Sequence, residues 1–223
     1  MKCPFVCRVV ICLYAIALLG LTGSAGAGLI TTDPSLPPPA GVYASGAGGQ
    51  ITYNVPGFGP IVLSDISLTG FTGIVHTNVP PDEREQYNAT LTGTATAGAS
   101  TFPFSSSGPV TTMAYGKSGQ VTGTFQTEML QLSLSGTTPL GSAMIRESPT
   151  LASTGQTTIA DVGGGLFRID SFFDVFTELS VDGGATWIPA QGTATPLTLL
   201  PEPGVLSLLG FAALGLLGRR RRA

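Results

Sequence analysis

Val121-Thr122-Gly123-Thr124-Phe125-Gln126-Thr127-Glu128-Met129-Leu130-Gln131-Leu132-Ser133-Leu134 is the stretch that decides the fold class. Val121, Gly123, Phe125 and Thr127 fall on one side, and Thr122, Thr124, Gln126 and Glu128 on the other. Successive side chains of a strand point to opposite faces, so a period of two marks a strand with one face buried. Past Glu128-Met129 the apolar set changes parity and continues as Leu130, Leu132 and Leu134 against Gln131 and Ser133. One extra residue in a strand has that effect, so a β-bulge is expected near this point.

The same texture extends outward from this stretch. From Gln50 on, Thr, Val, Ile, Phe and Gly dominate, in short apolar runs separated by turn residues. Strands are expected over 50–55, 60–69, 86–97, 109–115, 120–135, 155–162, 165–181, 185–189 and 192–199. The expected breaks are Pro56-Gly57, Pro80-Pro81, Gly108-Pro109, Gly136, Pro149 and Gly183-Gly184. Long helical periodicity is absent, and no fixed repeat points to a solenoid. The expectation is all-β, an antiparallel β-sandwich-like ectodomain over residues 50–200. Residues 28–49, with Pro34, Pro37, Pro38 and Pro39 and a Gly/Ala/Ser tract, read as a low-complexity leader, a linker or loosely attached arm.

Both ends carry targeting chemistry. Lys2 and Arg8 precede an apolar run from Val9 to Leu21, and Ala25-Gly26-Ala27 supplies small residues for cleavage before Gly28. Residues 1–27 therefore read as a signal peptide forming a helix. Cys3, Cys7 and Cys12 all lie within it, so the mature domain has no disulfide, thiolate metal site or cysteine nucleophile. At the other end, Pro201-Glu202-Pro203 stops regular structure. An uncharged run from Val205 to Gly218 follows, then Arg219, Arg220, Arg221 and Arg222. A helix is the form that satisfies its own backbone in lipid. The run spans about 21 Å as a helix, and the arginines favour the cytoplasmic side. Residues 28–200 are thus expected outside a membrane that the C-terminal helix enters.

Pro-Glu-Pro, an apolar helix and a terminal arginine cluster, in that order, resemble the PEP-CTERM sorting signal. The resemblance covers about a tenth of the chain, residues 201–223. It implies recognition by an exosortase-like processing enzyme, cleavage near Pro201-Glu202-Pro203, and delivery to the cell envelope or an extracellular matrix. It transfers an address and not an activity.

The whole chain carries a formal charge of −3, but its basic residues are concentrated in the two end segments. Between residues 28 and 200 there are four cationic and twelve anionic residues, a net charge of −8. Such a domain has no basic patch for nucleic acid, so no nucleic-acid partner is expected.

Within the domain, Ser180-Val181-Asp182-Gly183-Gly184-Ala185-Thr186-Trp187 resembles the Asp-box hairpin of sialidases, on Ser180, Asp182, Gly184, Thr186 and Trp187. That motif organises a turn and lies away from catalysis, so here it is read as structural. His76, the only histidine, reads as an exposed loop residue, and a multi-histidine metal site is excluded. Asp161, Asp170, Asp174, Glu178 and Asp182 read as a solvated acidic face, without the spacing of a known calcium loop. Phe172, Phe173 and Phe176 read as core. Thr90, Thr92, Thr94 and Thr96 line one face of a strand, as β-branched propensity allows. No catalytic residue, metal site or cofactor is expected.

The function expected is an exported, non-catalytic structural or adhesive β-domain. Carbohydrate binding or processing on extracellular polysaccharide is the alternative, and ice binding a third.

Overall fold

A computed structural model describes residues 28–201. The signal segment with Ala25 and Ala27 lies outside the described residues, as does the tail from Glu202 with Pro203 and Arg219 to Arg222. The described chain is all-β. Its strands are β1 (Leu29–Thr31), β2 (Tyr43–Ser45), β3 (Gln50–Val55), β4 (Gly59–Val79), β5 (Asp82–Ala97), β6 (Ser100–Ala114) and β7 (Gly123–Thr138). They continue as β8 (Gly141–Glu147), β9 (Ser153–Gly163), β10 (Leu166–Val175), β11 (Thr177–Ser180), β12 (Ile188–Pro189) and β13 (Thr195–Leu199). The pairings between them are antiparallel and join one hydrogen-bonded network.

That network closes on itself twice. One circuit runs β10–β13–β2–β4–β5–β6–β7–β9 and back to β10. The other runs β3–β4–β5–β6–β7–β8–β11–β12. Just past β12, the Gln191 N–H closes it by donating to the Thr52 carbonyl at 2.7 Å. The long strands β4 to β7 pass through both circuits. Closure leaves few unpaired edges, the usual liability of a β-protein.

The bulge expected near Glu128-Met129 falls at Leu130. Thr111 pairs with Gln131 while its neighbour Thr112 pairs with Met129, so Leu130 is the extra residue. Phe125, Thr127 and Met129 are buried before it, Leu132 and Leu134 after it, and Leu130 itself points to solvent. The bulge is how β7 keeps its apolar face inward in both circuits. β4 is bent likewise, with register breaks between Ser64 and Ser67, Thr69 and Thr72, and Thr72 and Val75. Bulges of this kind increase local twist and turn corners in closed sheets.

Gly108-Pro109 and Gly136, expected as breaks, lie inside β6 and β7. The reason is close approach of the two strands. A Cβ on Gly136 would sit 2.1 Å from the Ser105 carbonyl oxygen, and one on Gly108 would sit 2.2 Å from that of Ser133. These glycines mark a contact that excludes side chains. The stretches 70–79, 100–108 and 141–147 are also strand, and the expected strand 165–181 is divided at Phe176.

Residues 28–49 belong to the fold and are not a linker. β1 pairs with β10, and β2 bridges β13 and β4. Composition hides three anchors, Leu29, Leu36 and Tyr43, all buried. Each such side chain contributes about 1.5–3 kcal/mol on burial, enough to hold a proline-rich segment in place.

The circuits differ inside. The second encloses Ile61, Leu63, Phe104, Leu134, Ile145 and Leu179, a dry interior. The first mixes Tyr43, Phe71 and Phe173 with Glu85, Thr127, Thr157 and Ser171. Outward positions of the shared strands, such as Gln86, Asn88, Gln126 and Ser135, are polar and exposed. This is not the apolar band of a lipid-facing barrel. Among the described residues, no helix is long and apolar enough to cross a membrane.

Candidate functional site

The β4–β5 hairpin turns at Pro80-Pro81, with Val79 opposite Asp82. Its register sets His76 opposite Glu85 and Asn78 opposite Glu83. Residues two apart on a strand share a face, so His76, Asn78, Glu83 and Glu85 gather at the open end of the first circuit. His76 is therefore a strand residue, not a loop residue.

The loop after β6 folds over this end. The Gly116 N–H donates to Asp82 Oδ1 at 2.8 Å, and the Ser118 N–H donates to the Pro81 carbonyl at 3.0 Å. Those bonds carry Lys117 inward, leaving it 6% exposed with its ammonium 2.5 Å from Glu83 Oε1. His76 Nδ1 stands 3.7 Å from the same carboxylate oxygen. A cleft of about 380 Å³ opens there, lined by Asp33, Ser35, His76, Asn78, Glu83, Lys117 and Gln120 among others. Hydrogen bonds from Ser35 hold the Asp33 carboxyl below its usual range, and the charges of His76 and Lys117 act in the same direction.

Glu85 lies deeper, 1% exposed. The Thr112 hydroxyl donates to Glu85 Oε2 at 3.0 Å, while Oε1 has no partner among the described residues. Burial pushes this carboxyl up to about 8, the Thr112 hydrogen bond opposes the shift, and the nearby charge of Glu83 adds to it. The Thr127 hydroxyl, facing the same small cavity as Glu85, Tyr87 and Thr157, is likewise without a partner. Tyr43 donates to Ser171 at 3.0 Å, and Ser171 bonds Thr157 at 2.7 Å. Burial raises the Tyr43 hydroxyl to about 12, so it stays a neutral donor. Buried polar atoms are nearly all paired in folded proteins; Arg84 Nε and Ser106 Oγ are also unpaired among the described residues, but Glu85 and Thr127 share one cavity.

Among the described residues, His76, Glu83 and Glu85 bring donor atoms within 4.8 Å of one another, a grouping that can hold a metal ion. Sequence reasoning missed it because His76 and Glu85 are nine positions apart. The signal was there: both lie symmetrically about the Pro80-Pro81 turn, and Glu83 and Glu85 alternate with Arg84.

The residues singled out from sequence are dispersed. Around Ser180–Trp187, the Asp182 carboxylate accepts the Thr186 N–H at 2.9 Å and the Ser180 hydroxyl at 2.7 Å. Bonds from Thr186 first, then Ser180, hold this carboxyl down to about 2. Gly183 and Gly184 take φ of 75° and 91°, which only glycine adopts freely. The Arg146 guanidinium lies 4.1 Å from the Trp187 ring centroid and bonds Glu178 through two nitrogens, at 2.9 and 2.6 Å. Trp187 is thus covered on one face by its own chain.

The carboxylates expected as one acidic face do not form one, since Asp161 and Asp182 are exposed while Glu178 is buried against Arg146. Phe173 is core, but Phe172 is 39% exposed. It stands in an outward row across four strands, Gln126–Gln156–Phe172–Thr198, beside Thr124–Thr158–Asp170. The Thr90–Thr96 face extends across β4 and β6 through Thr69, Ser67, Ser105 and Ser107, yet the breaks in β4 interrupt its regularity. Compared with protein-family models, curated proteins and solved structures, the chain finds no significant match.

Proposed function

We propose that the protein is an exported surface module, a non-catalytic structural or adhesive β-domain, sorted through a PEP-CTERM-like tail and handled by an exosortase-like enzyme. The observation that carries this reading is where the last described strand, β13, stands relative to the motif. The Leu200 N–H still bonds the Val42 carbonyl, at 2.8 Å, and Pro201, the first residue of the sorting motif, follows at once. In this reading residues 1–27 are removed on export, and the helix before Arg219–Arg222 sits in the membrane until processing. In this reading opposing walls of the first circuit pack in a sandwich-like manner. The small cavity lined by Tyr43 and Phe173 together with Glu85, Tyr87 and Thr127 supports that packing. The intact mass of protein from a host with the sorting enzyme tests the reading. A mass lacking residues beyond about Pro203 is expected, and one retaining Arg219 to Arg222 would contradict processing.

Carbohydrate binding is a second reading, favoured by the row around Phe172. An exposed ring flanked by Gln126, Gln156, Asp170 and Thr198 offers a stacking surface with donors and acceptors beside it. A cleft of about 370 Å³ adjoins it, reaching Leu200 and Pro201. Retention on an insoluble polysaccharide, lost in Phe172→Ala and kept in Trp187→Phe, is the expected result. Equal retention of wild type and Phe172→Ala would remove this reading.

A further inference from the structure

We propose that His76, Glu83 and Glu85 form a binding site for a divalent transition-metal cation of the Zn²⁺ or Mn²⁺ class. The inference stands apart from the sorting and carbohydrate readings. Three observations carry it. The three side chains bring donor atoms within 4.8 Å of one another, which small side-chain rotations convert into a common coordination sphere. They come from adjacent, paired positions on a closed sheet, so their backbone spacing is fixed. And Glu85, almost wholly buried, keeps one carboxylate oxygen without a partner. A buried carboxylate oxygen that accepts nothing is costly unless something supplies positive charge or a donor.

The donor set selects the cation. One imidazole with two carboxylates suits Zn²⁺ or Mn²⁺, whereas calcium prefers six to eight oxygens. Lys117 is the built-in competitor, since its ammonium already neutralises Glu83. Binding therefore opens the Lys117–Glu83 pair.

The test is calorimetric titration of the untagged full chain, kept in mild detergent, with ZnCl₂ at pH 7. A separate run uses CaCl₂. One Zn²⁺ per chain is expected. His76→Ala and Glu85→Gln should each weaken binding at least tenfold, and Lys117→Met should tighten it. His76 lies at the rim, so His76→Ala keeps the test decisive even if the buried variant misfolds. Circular dichroism would verify the fold of each variant. Absence of a stoichiometric site, equal affinity in wild type and His76→Ala, or a preference for Ca²⁺ over Zn²⁺ would overturn the proposal.

Discussion

The same four strands, β4 to β7, wall two interiors of opposite chemistry. At one end they enclose Leu63, Phe104, Leu134 and Ile145, where almost every inward side chain is hydrocarbon. At the other they enclose Glu85, Tyr87, Thr112 and Thr127, with two polar atoms left unpaired. Bulges at Leu130 and along β4 let one strand change which of its residues face inward, and so which chemistry it buries. The dry interior stabilises. The polar one is costly to keep and holds groups able to bind a ligand. A domain with no cysteine among its described residues thereby has one end built of hydrocarbon and one that buries polar groups.

The sharpest way to break this contrast is to truncate the dry interior. Leu134, 0% exposed, should cost about 3 kcal/mol when changed to alanine, the usual cost of a core cavity. Urea unfolding measures this, and a cost under about 1 kcal/mol would mean the dry end is not the stabilising one. A smaller effect of opposite sign is expected at the polar end. Thr127→Val keeps the volume and removes a buried hydroxyl that has no partner. It should leave stability unchanged or raise it by about 1 kcal/mol. A clear loss would mean the hydroxyl is satisfied after all. The smallest effect is local. Asp182→Ala should leave the unfolding midpoint near wild type. It should shift the fluorescence of Trp187, the single tryptophan, and speed amide exchange across 181–187. A global loss of stability would show that this hairpin holds the second circuit closed.

Much of this was legible in the sequence, for local reasons. The alternation and parity switch in 121–134 are properties of one strand, and they mark the bulge to within two residues. Turn chemistry at Gly183-Gly184 is equally local. What composition could not disclose is who lies opposite whom. Gly108 and Gly136 look like breaks until each is seen beneath the other strand's carbonyl. Leu29, Leu36 and Tyr43 look isolated among prolines until the sheet that receives them is known. His76 looks like a lone polar residue because its partners, Glu83 and Glu85, reach it only across a hairpin. Phe172 and Phe173 are adjacent in sequence but face opposite ways, and only the pairing with β9 and β13 decides which one meets solvent.

The contrast between the two interiors is tested most directly by the pH dependence of stability, in the presence of a chelator. Glu85 faces Glu83, Lys117 and His76 at the rim, and Tyr43, Tyr87 and Thr112 inside. The unfolded chain releases the Glu85 proton near 4.5, whereas the folded chain keeps it up to about 8. Between those values the folded state binds more protons than the unfolded state, so stability falls as pH rises and levels off above about 8. The loss should be on the order of 3 kcal/mol. Glu147, raised to about 7 by burial, adds a lesser loss of the same sign. Urea midpoints from pH 5 to 8.5 should therefore fall steeply for wild type and only slightly for Glu85→Gln. Parallel curves for the two proteins would contradict the account, because they would mean that no carboxyl is held neutral inside the polar end.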